Sequence, residues 1–464
     1  MNIAILGSGP GGYVAALKAA QMGAAVTVIE DKEVGGTCLN EGCIPTKTLL
    51  ASAEAYSSAG NLESFGIELN GSISPNMTKI IARKNSVIAT QVKGIRALFK
   101  AWGVTVKEGR GGFVSDREIK VVSKDGGTES VTADKFLVAT GSRPARIPMF
   151  PFDGKNIINS TDALNLTEIP KSMIIVGAGV MGCEFACVYH ELGAEVTLVE
   201  LMSRCLTTED PEIAQVIERE FKKKKIKLVT GVKTEKVTVE ADGVHVFLSN
   251  GKELTAEKLL ITIGRSFNSD DIGADAAGIK LGARGEISVD KHLKTSNPNV
   301  YAVGDVTGGM LLAHVASYQG IVAVRNIMGH EEVSDLSVVP AGIFTHPEIG
   351  SVGFRENQLE QKGVDYKVGR FQYRSLGKAH AMGDIAGMFK VIADAGTNKI
   401  LGVHIVGHNA ADIVHEAAVL MKAGLTVKDL AETIHAHPTL SEGLMEAADD
   451  VFGHAVHSVP KKEN

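Results

Sequence analysis

NIAILGSGPGGYVAALKAAQMGAAVTVIE, residues 2–30, is the stretch that decides the fold of this chain. A short apolar strand is predicted first, followed by Gly7, Gly9 and Gly12 in the spacing G-x-G-x-x-G, a helical pattern, and a second strand. The second strand ends in Glu30, 18 residues after the third glycine. The glycines allow a tight turn and the close approach of a pyrophosphate to a helix N-terminus, and the acid accepts hydrogen bonds from a ribose diol. The stretch therefore predicts a βαβ dinucleotide-binding unit.

The same pattern occurs a second time, in MIIVGAGVMGCEFACVYHELGAEVTLVE. Gly177, Gly179 and Gly182 repeat the glycine spacing, and Glu200 again lies 18 residues after the third glycine. Two such stretches predict two dinucleotide sites. A carboxylate at the second site favours NAD, because it bonds the 2′-hydroxyl and repels the 2′-phosphate of NADP. Arg204 lies only four residues further on, so a preference for NADP stays open.

GGTCLNEGCIPTK, residues 35–47, comes after the first unit and contains Cys38 and Cys43. The two cysteines are candidates for a disulfide that opens and closes during turnover, which requires Cα atoms within about 7 Å. An i,i+5 pair on a regular helix points about 140° apart, so a break is expected between them, and Gly42 can supply it. We predict an irregular loop that enters a helix starting just after Pro45, with both sulfurs close to the helix N-terminus, which stabilises a thiolate. The alternative is a pair of inert core cysteines; a zinc site would need further ligands nearby.

Three more groups are candidates for chemistry, each with a structural alternative. His437, in HAHPTLSEG, has Glu442 five positions on and could be a base held by a carboxylate, although a lone histidine is usually structural. Glu184 lies among apolar neighbours, and if it is buried it needs a cationic partner. Asp305, after the strand in PNVYAVGD, could bind a hydroxylated chain such as a ribitol, or could cap the helix that begins near Leu311. Cys183, which precedes Glu184 on the predicted helix, is expected to be a core residue.

Composition narrows the class of protein. A length of 464 residues predicts about three domains, and 44% hydrophobic with 22% charged residues is typical of a soluble globular protein. The formal net charge of −6 argues against a nucleic-acid partner. No apolar run reaches the roughly 18 residues that span a membrane. Five cysteines indicate an intracellular protein, and the opening strand indicates that no signal peptide precedes it. We expect a cytoplasmic protein, or a mitochondrial matrix protein if the chain is a processed organellar one.

Six motifs, in order, resemble those of the pyridine nucleotide-disulfide oxidoreductases, most of all the dihydrolipoamide-oxidising members. They are GSGPGG with Glu30, GGTCLNEGCIPTK, ATGSRP, GAGVMGCE, YAVGD and HAHPTLSE, and the resemblance runs from Met1 to about His454. It implies an α/β fold with two Rossmann-like dinucleotide-binding domains and an α+β C-terminal dimerisation domain, assembled as a homodimer. The implied domains are an FAD-binding domain over 1–146, an NAD-binding domain over 147–266, a central domain over 267–337 that completes the FAD site, and an interface domain over 338–464.

The resemblance also implies a role for each matching residue. Cys38 is the thiol that meets the substrate and Cys43 the sulfur beside the flavin, while Lys47 is a cation near the flavin ring, paired with Glu184. His437, supported by Glu442, is the acid–base that reaches the cysteines of the other subunit. The implied FAD contacts are Gly7, Gly9, Gly12, Glu30, Lys47, Gly111, Thr140, Gly141, Ser142, Asp305 and Ala313. The implied NAD contacts are Gly177, Gly179, Gly182, Glu184, Glu200 and Gly264. No metal is expected.

The implied activity is FAD-dependent oxidation of protein-bound dihydrolipoamide to lipoamide with reduction of NAD+ to NADH. The implied partners are the lipoyl domains of 2-oxo acid dehydrogenase or glycine cleavage complexes. Two alternatives stay open: an NADPH-dependent disulfide reductase of the glutathione reductase kind, and a subunit that mainly docks on a multienzyme complex.

Overall fold

A computed structural model of the chain describes residues 1–459. Within that range it contains 23 strands and 13 α-helices. In chain order the strands are β1 (Asn2–Leu6), β2 (Ala25–Glu30), β3 (Thr105–Glu108), β4 (Arg110–Ser115), β5 (Glu118–Val122), β6 (Thr128–Thr132), β7 (Lys135–Val138), β8 (Ser142–Pro144), β9 (Ile157–Ile158), β10 (Ser172–Val176), β11 (Glu195–Val199), β12 (Lys227–Val229), β13 (Thr234–Glu240), β14 (Gly243–Leu248), β15 (Glu253–Ala256), β16 (Lys258–Ile261), β17 (Arg265–Phe267), β18 (Val300–Ala302), β19 (Ala341–Ile343), β20 (Ile349–Gly353), β21 (Tyr366–Gln372), β22 (Met388–Asp394) and β23 (Ile400–Val406).

The helices connect these strands or pack on the sheets that they form. In chain order they are α1 (Pro10–Gln21), α2 (Gly36–Glu41), α3 (Cys43–Ala59), α4 (Met77–Ala101), α5 (Ser160–Ala163), α6 (Val180–Glu191), α7 (Pro211–Lys223), α8 (Ala313–Ile327), α9 (Glu356–Lys362), α10 (Gly377–Met382), α11 (Ala410–Ala423), α12 (Val427–Glu432) and α13 (Glu442–Asp450).

The first sheet is parallel and has the order β18-β7-β1-β2-β3. Its central strand β1 is a short apolar run, and residues such as Ile5 are fully buried, as expected for a parallel strand covered on both faces. The edge strand β18 comes from residues 300–302, far downstream of the rest. Helix α8, which comes after it, packs on α1 so closely that a Cβ on Gly320 would lie 2.5 Å from the carbonyl oxygen of Gly11. The region after 267 therefore completes the first sheet and its helix layer.

The second sheet is also parallel, with the order β12-β11-β10-β16-β9. It repeats the first around the second glycine-rich stretch: β10 takes the place of β1, α6 that of α1, and β11 that of β2. The short antiparallel pair β8–β17, with Ser142 opposite Phe267, connects the regions that carry the two sheets. Two small antiparallel sheets, β4-β5-β6 and β13-β14-β15, complete this part of the chain. Residues 124–127 lie in the turn between the antiparallel strands β5 and β6.

The C-terminal third forms a different architecture, an antiparallel sheet of order β19-β20-β23-β22-β21 with helices α11 and α13 packed against it. Buried Val403 and Phe389 belong to its core. A buried ion pair connects it to the second sheet's helix layer, because Lys390 Nζ on β22 lies 2.8 Å from Asp210 Oδ1 at the start of α7. The structure thus has the predicted α/β fold class, with two Rossmann-like units followed by an α+β region. The last residues of the expected interface domain, 460–464, lie outside the described residues.

Among residues 1–459, no helix combines the length and the apolar character needed to cross a membrane.

Candidate active site

A cavity of about 1840 Å³ opens at the carboxyl ends of the strands of both parallel sheets, where dinucleotides bind in doubly wound folds. This is larger than the roughly 300–1,000 Å³ of a typical single-ligand pocket, so it has room for more than one ligand. Most of the residues expected to bind FAD or NAD line it. They are Gly7, Gly9, Glu30, Lys47, Gly111, Thr140, Gly141, Ser142, Asp305, Ala313, Gly177, Gly179, Glu184, Glu200 and Gly264, together with Cys38 and Cys43.

The first glycine-rich turn has the geometry of a phosphate cradle. Gly7 adopts φ +95°, and a Cβ on Gly12 would lie 2.0 Å from the carbonyl oxygen of Gly7. Because a side chain at position 12 would overlap this oxygen, only glycine fits there. The glycine lets the N-terminus of α1 approach a ligand in the cavity. Glu30 ends β2 and accepts hydrogen bonds from the backbone N–H of Ser8 at 2.9 Å and of Lys32 at 3.0 Å. These residues fit the pyrophosphate and ribose of a dinucleotide.

The second turn repeats this geometry. Gly177 adopts φ +102°, and a Cβ on Gly182 would lie 1.9 Å from its carbonyl oxygen. Glu200 accepts from the N–H of Ala178 at 2.7 Å. Arg204, the residue because of which a preference for NADP stayed open, donates to backbone carbonyls of its own loop, including that of Leu206 at 2.9 Å. Because its guanidinium is engaged there, the residues present fit NAD better than NADP.

The cysteine pair lies at a break between two helices. Cys38 is on α2, and Cys43 is the first residue of α3. Gly42 separates them with φ −144° and ψ −111°. The expected break is present, but the expected irregular loop is wrong: Cys38 lies in a short helix, because a single distorted residue is enough to redirect the chain. Helix α3 also begins two residues before Pro45 and not after it.

The two cysteine side chains lie close enough to share a hydrogen bond when the pair is reduced. That bond lowers the pKa of Cys43 to about 7, burial opposes the shift, and the charge of Lys47 assists it. The same bond, together with burial, raises the pKa of Cys38 well above its usual value. The two shifts run in opposite directions, as expected when Cys38 donates its hydrogen to the sulfur of Cys43.

Lys47 and Glu184 form an ion pair in the lining of the cavity. Lys47 Nζ lies 2.8 Å from Glu184 Oε1 and 2.7 Å from Oε2, and the carboxylate is almost fully buried. Sequence reasoning required a cation for Glu184 if it is buried, and the structure supplies one from the helix that carries Cys43. A cation so placed can stabilise negative charge that develops beside it.

Asp305 faces the cavity from a 3-10 turn over Gly304–Thr307. It does not cap α8, whose N-cap position is Leu312, so that alternative is wrong. Its Oδ2 accepts from Ser142 Oγ at 2.5 Å and lies 3.7 Å from Arg265 Nε. Arg265 in turn donates to Ser142 Oγ at 2.6 Å, so the three side chains fix one another at the junction of β8 and β17.

His437 and Glu442 are paired but lie away from the cavity of their own chain. His437 Nδ1 is 2.8 Å from Glu442 Oε1, and the histidine side chain is 77% exposed. Burial pushes the pKa of Glu442 up, but hydrogen bonds from the N–H of Thr439 and from His437 outweigh it and lower the pKa. The structure does not bring His437 to Cys38 of the same chain. Their meeting across a homodimer stays a prediction.

Two residues of the site were not found from sequence. Arg265 begins β17, and the likeness of LLITIGRSF, residues 259–267, to LVATGSRP, residues 137–144, was the available signal. Phe344, whose ring lies against Lys47, comes from the C-terminal region and had no signal, because nothing in the sequence places it beside α3.

Comparison with known proteins agrees with this geometry. Residues 1–320 match the family model described as pyridine nucleotide-disulphide oxidoreductase, and residues 339–448 match that family's dimerisation domain. A dihydrolipoyl dehydrogenase of Chlamydia muridarum is 40% identical over 462 residues, which cover 99% of this chain and 98% of the relative. A dihydrolipoyl dehydrogenase of Geobacillus stearothermophilus is 38% identical, with 98% and 97% covered. The crystal structure of LpdA from Mycobacterium tuberculosis superposes with a TM-score of 0.92 at 32% identity, covering 97% of this chain and 99% of that one.

The chain belongs to the pyridine nucleotide-disulfide oxidoreductases. The expected family, the α/β fold class and the flavoprotein oxidoreductase class are thereby confirmed, as are the cofactors FAD and NAD, which this family uses. The match of residues 339–448 agrees with the expected homodimer.

Proposed function

We propose that this protein oxidises protein-bound dihydrolipoamide to lipoamide and reduces NAD+ to NADH. The observation that carries the proposal is the position of the Cys38–Cys43 pair, which opens on one cavity between two dinucleotide cradles. Relatives named dihydrolipoyl dehydrogenase at about 40% identity over the whole chain support the same activity.

The chain's own residues perform a thiol–disulfide exchange. With Cys38 and Cys43 oxidised, His437 from the other subunit takes a proton from one substrate thiol, and the resulting thiolate attacks the sulfur of Cys38. The Cys38–Cys43 bond breaks and Cys43 leaves as a thiolate, stabilised by Lys47. The second substrate thiol then displaces Cys38 from the mixed disulfide, which releases lipoamide and returns Cys38 as a thiol. The electron pair of the substrate is now on the cysteine pair.

The two cradles would each hold one of the two cofactors. FAD would be held by the first glycine-rich turn, Glu30 and Asp305, and NAD by the second turn and Glu200. When bound, FAD supplies a carrier that takes the electron pair from the dithiol and delivers it as a hydride to NAD+. Lys47 and Glu184, between the cradles, would keep a fixed charge beside the reacting groups.

The domain division belongs to the same proposal. We assign FAD binding to 1–146, NAD binding to 147–266, completion of the FAD site to 267–337, and the dimer interface to 338–464. The first sheet supports this division, since its edge strand comes from residues 300–302. Lipoyl domains of 2-oxo acid dehydrogenase or glycine cleavage complexes would be the partners that present the substrate. We place the protein in the cytoplasm, a reducing compartment that suits a catalytic thiol pair.

A paired assay on the purified flavoprotein tests this function. It monitors NAD+ reduction by dihydrolipoamide beside NADPH oxidation by glutathione disulfide. We expect fast turnover only in the first reaction. Turnover only in the second would overturn the assignment, and it would favour the glutathione reductase alternative. Flavin-loaded protein inactive in both would contradict catalysis of this substrate class and favour the docking role.

A further inference from the structure

Phe344 contacts the buried ion pair of the active site from two directions. Its ring lies under the Lys47 ammonium, with Nζ 4.5 Å from the ring centroid. Its backbone N–H donates to Glu184 Oε1 at 2.9 Å. Since both oxygens of Glu184 also accept from Lys47, the ammonium has a carboxylate on one side and an aromatic face on another. Phe344 comes directly after β19, so the ring belongs to the C-terminal region.

We propose that Phe344 is a positioning residue, whose ring holds the Lys47 ammonium against Glu184 and beside Cys43. The inference rests on the proposed function, in which Lys47 stabilises the Cys43 thiolate that leaves during the exchange. Lys47 lies four residues after Cys43 on α3, so the two side chains share one helix face, and both line the cavity. The ring therefore restrains a charge that sits next to the reacting sulfur.

The lysine needs this restraint because, among the described residues, its ammonium is held by a single carboxylate, that of Glu184. A lysine has a flexible four-carbon stem and can swing while it keeps one oxygen of its partner. An aromatic face attracts an ammonium electrostatically, more strongly where water is excluded, and an aliphatic side chain of similar size does not.

The other charged and titratable groups around Cys43 are few. Cys38 approaches from α2, Glu184 from α6 and Lys47 from α3 itself. The guanidinium of Arg265, from β17, also interacts electrostatically with Cys43. None of these is changed by a substitution in the Phe344 ring, and the backbone N–H that bonds Glu184 is retained in every variant. The ring can therefore be tested separately from the hydrogen bond.

The test is a pH titration of the Cys43 thiolate in the two-electron-reduced holoenzyme, monitored by its charge-transfer absorbance with the flavin. We expect Phe344→Leu to raise the midpoint by roughly 0.5 to 1 pH unit, because a less restrained Lys47 stabilises the thiolate less. Phe344→Tyr keeps the aromatic face and should leave the midpoint unchanged. The matched control is Phe354→Leu, which removes a ring that lies 5.6 Å from the ammonium of Lys362, away from the cavity, and should also have no effect.

The same titration in a Lys47→Met background decides how the ring acts. There, Phe344→Leu should cause no further shift. The proposal would be overturned if Phe344→Leu left the titration midpoint of the parent enzyme unchanged. It would also be overturned if Phe344→Leu shifted the midpoint equally in the parent enzyme and in the Lys47→Met variant. If Phe344→Leu does not retain flavin, Phe344→Met is read in the same way. The titration needs no turnover with lipoamide, so its failure is distinguishable from failure of the proposed function, which the paired assay reports.

Discussion

The two glycine-rich cradles have nearly the same backbone geometry. In both, the first glycine has φ near +100°, and the third lies where a Cβ would meet a carbonyl oxygen at about 2 Å. In both, the strand-ending glutamate, Glu30 or Glu200, accepts from the N–H of the residue after the first glycine. Equal spacing along the chain has produced equal backbone geometry.

The cradles differ in the segment that comes after the glutamate. After Glu30 the chain forms α2 and α3, with Cys38 and Cys43 at the break between them. After Glu200 it forms a loop in which Arg204 bonds the loop's own carbonyls. The βαβ unit with its glycine spacing is thus repeated, whereas the cysteine pair, which carries the exchange in the proposed function, lies in one segment that is not repeated. Substitutions in one part or the other can separate dinucleotide binding from the exchange.

The largest expected effect comes from the unrepeated part. Cys43→Ser should lower dihydrolipoamide-dependent NAD+ reduction by more than roughly a thousandfold, because no disulfide can form, while flavin stays bound. The measurement is steady-state kcat with flavin content determined by absorbance. Cys187→Ala, a change at a buried core cysteine of α6, is the control and should stay within a fewfold of the parent. A Cys43→Ser enzyme with substantial activity would remove the cysteine pair from the mechanism.

Each of the two glycine-rich cradles can be disrupted separately by one substitution. Gly12→Ala should weaken FAD binding by at least roughly a hundredfold, since the new Cβ would overlap a backbone oxygen. Gly182→Ala makes the matched change in the other cradle. It should raise KM for NAD+ by a similar factor and leave the flavin in place. Flavin loss in the second variant only would reverse the assignment of the two sites.

The reactivity of the cysteines should depend on pH. The pKa of Cys43 is lowered to about 7, so its thiolate is present above that pH and is lost as the pH falls. Alkylation of Cys43 in the reduced enzyme should slow roughly twentyfold between about pH 7.5 and about pH 5.5. Peptide mapping after brief iodoacetamide treatment measures it. Thiolate behaviour at Cys38 in place of Cys43 would contradict a hydrogen bond donated by Cys38 to Cys43.

The smallest effect is expected at the carboxylate of the second cradle. Glu200→Ala should raise KM for NAD+ about tenfold, because one charge-assisted hydrogen bond to the ribose is lost. It should also lower the ratio of kcat/KM for NAD+ to kcat/KM for NADP+. Flavin content should be unaffected. Initial rates with both nucleotides measure this. An unchanged KM for NAD+ would place the ribose away from Glu200.

Much of this architecture depends on local sequence. Glycine spacing, apolar strands and a terminal acid act within about 30 residues, so both cradles and the break at Gly42 could be predicted. The helix around Cys38 could not, because a six-residue helix has little pattern of its own. Arg265 and Phe344 were missed because their positions depend on contacts between distant segments. His437 does not line the cavity that contains Cys38, and the predicted role needs a second subunit.

If the dithiol and the two cradles form one electron path, an anaerobic titration shows it most directly. Dihydrolipoamide is added to the purified flavoprotein without NAD+, and the flavin spectrum is recorded; NAD+ is added afterwards. We predict a two-electron-reduced form with charge-transfer absorbance before NAD+ is present, and return of the oxidised spectrum with NADH formation after it is added. A flavin spectrum unchanged until NAD+ is added would contradict transfer through the Cys38–Cys43 pair.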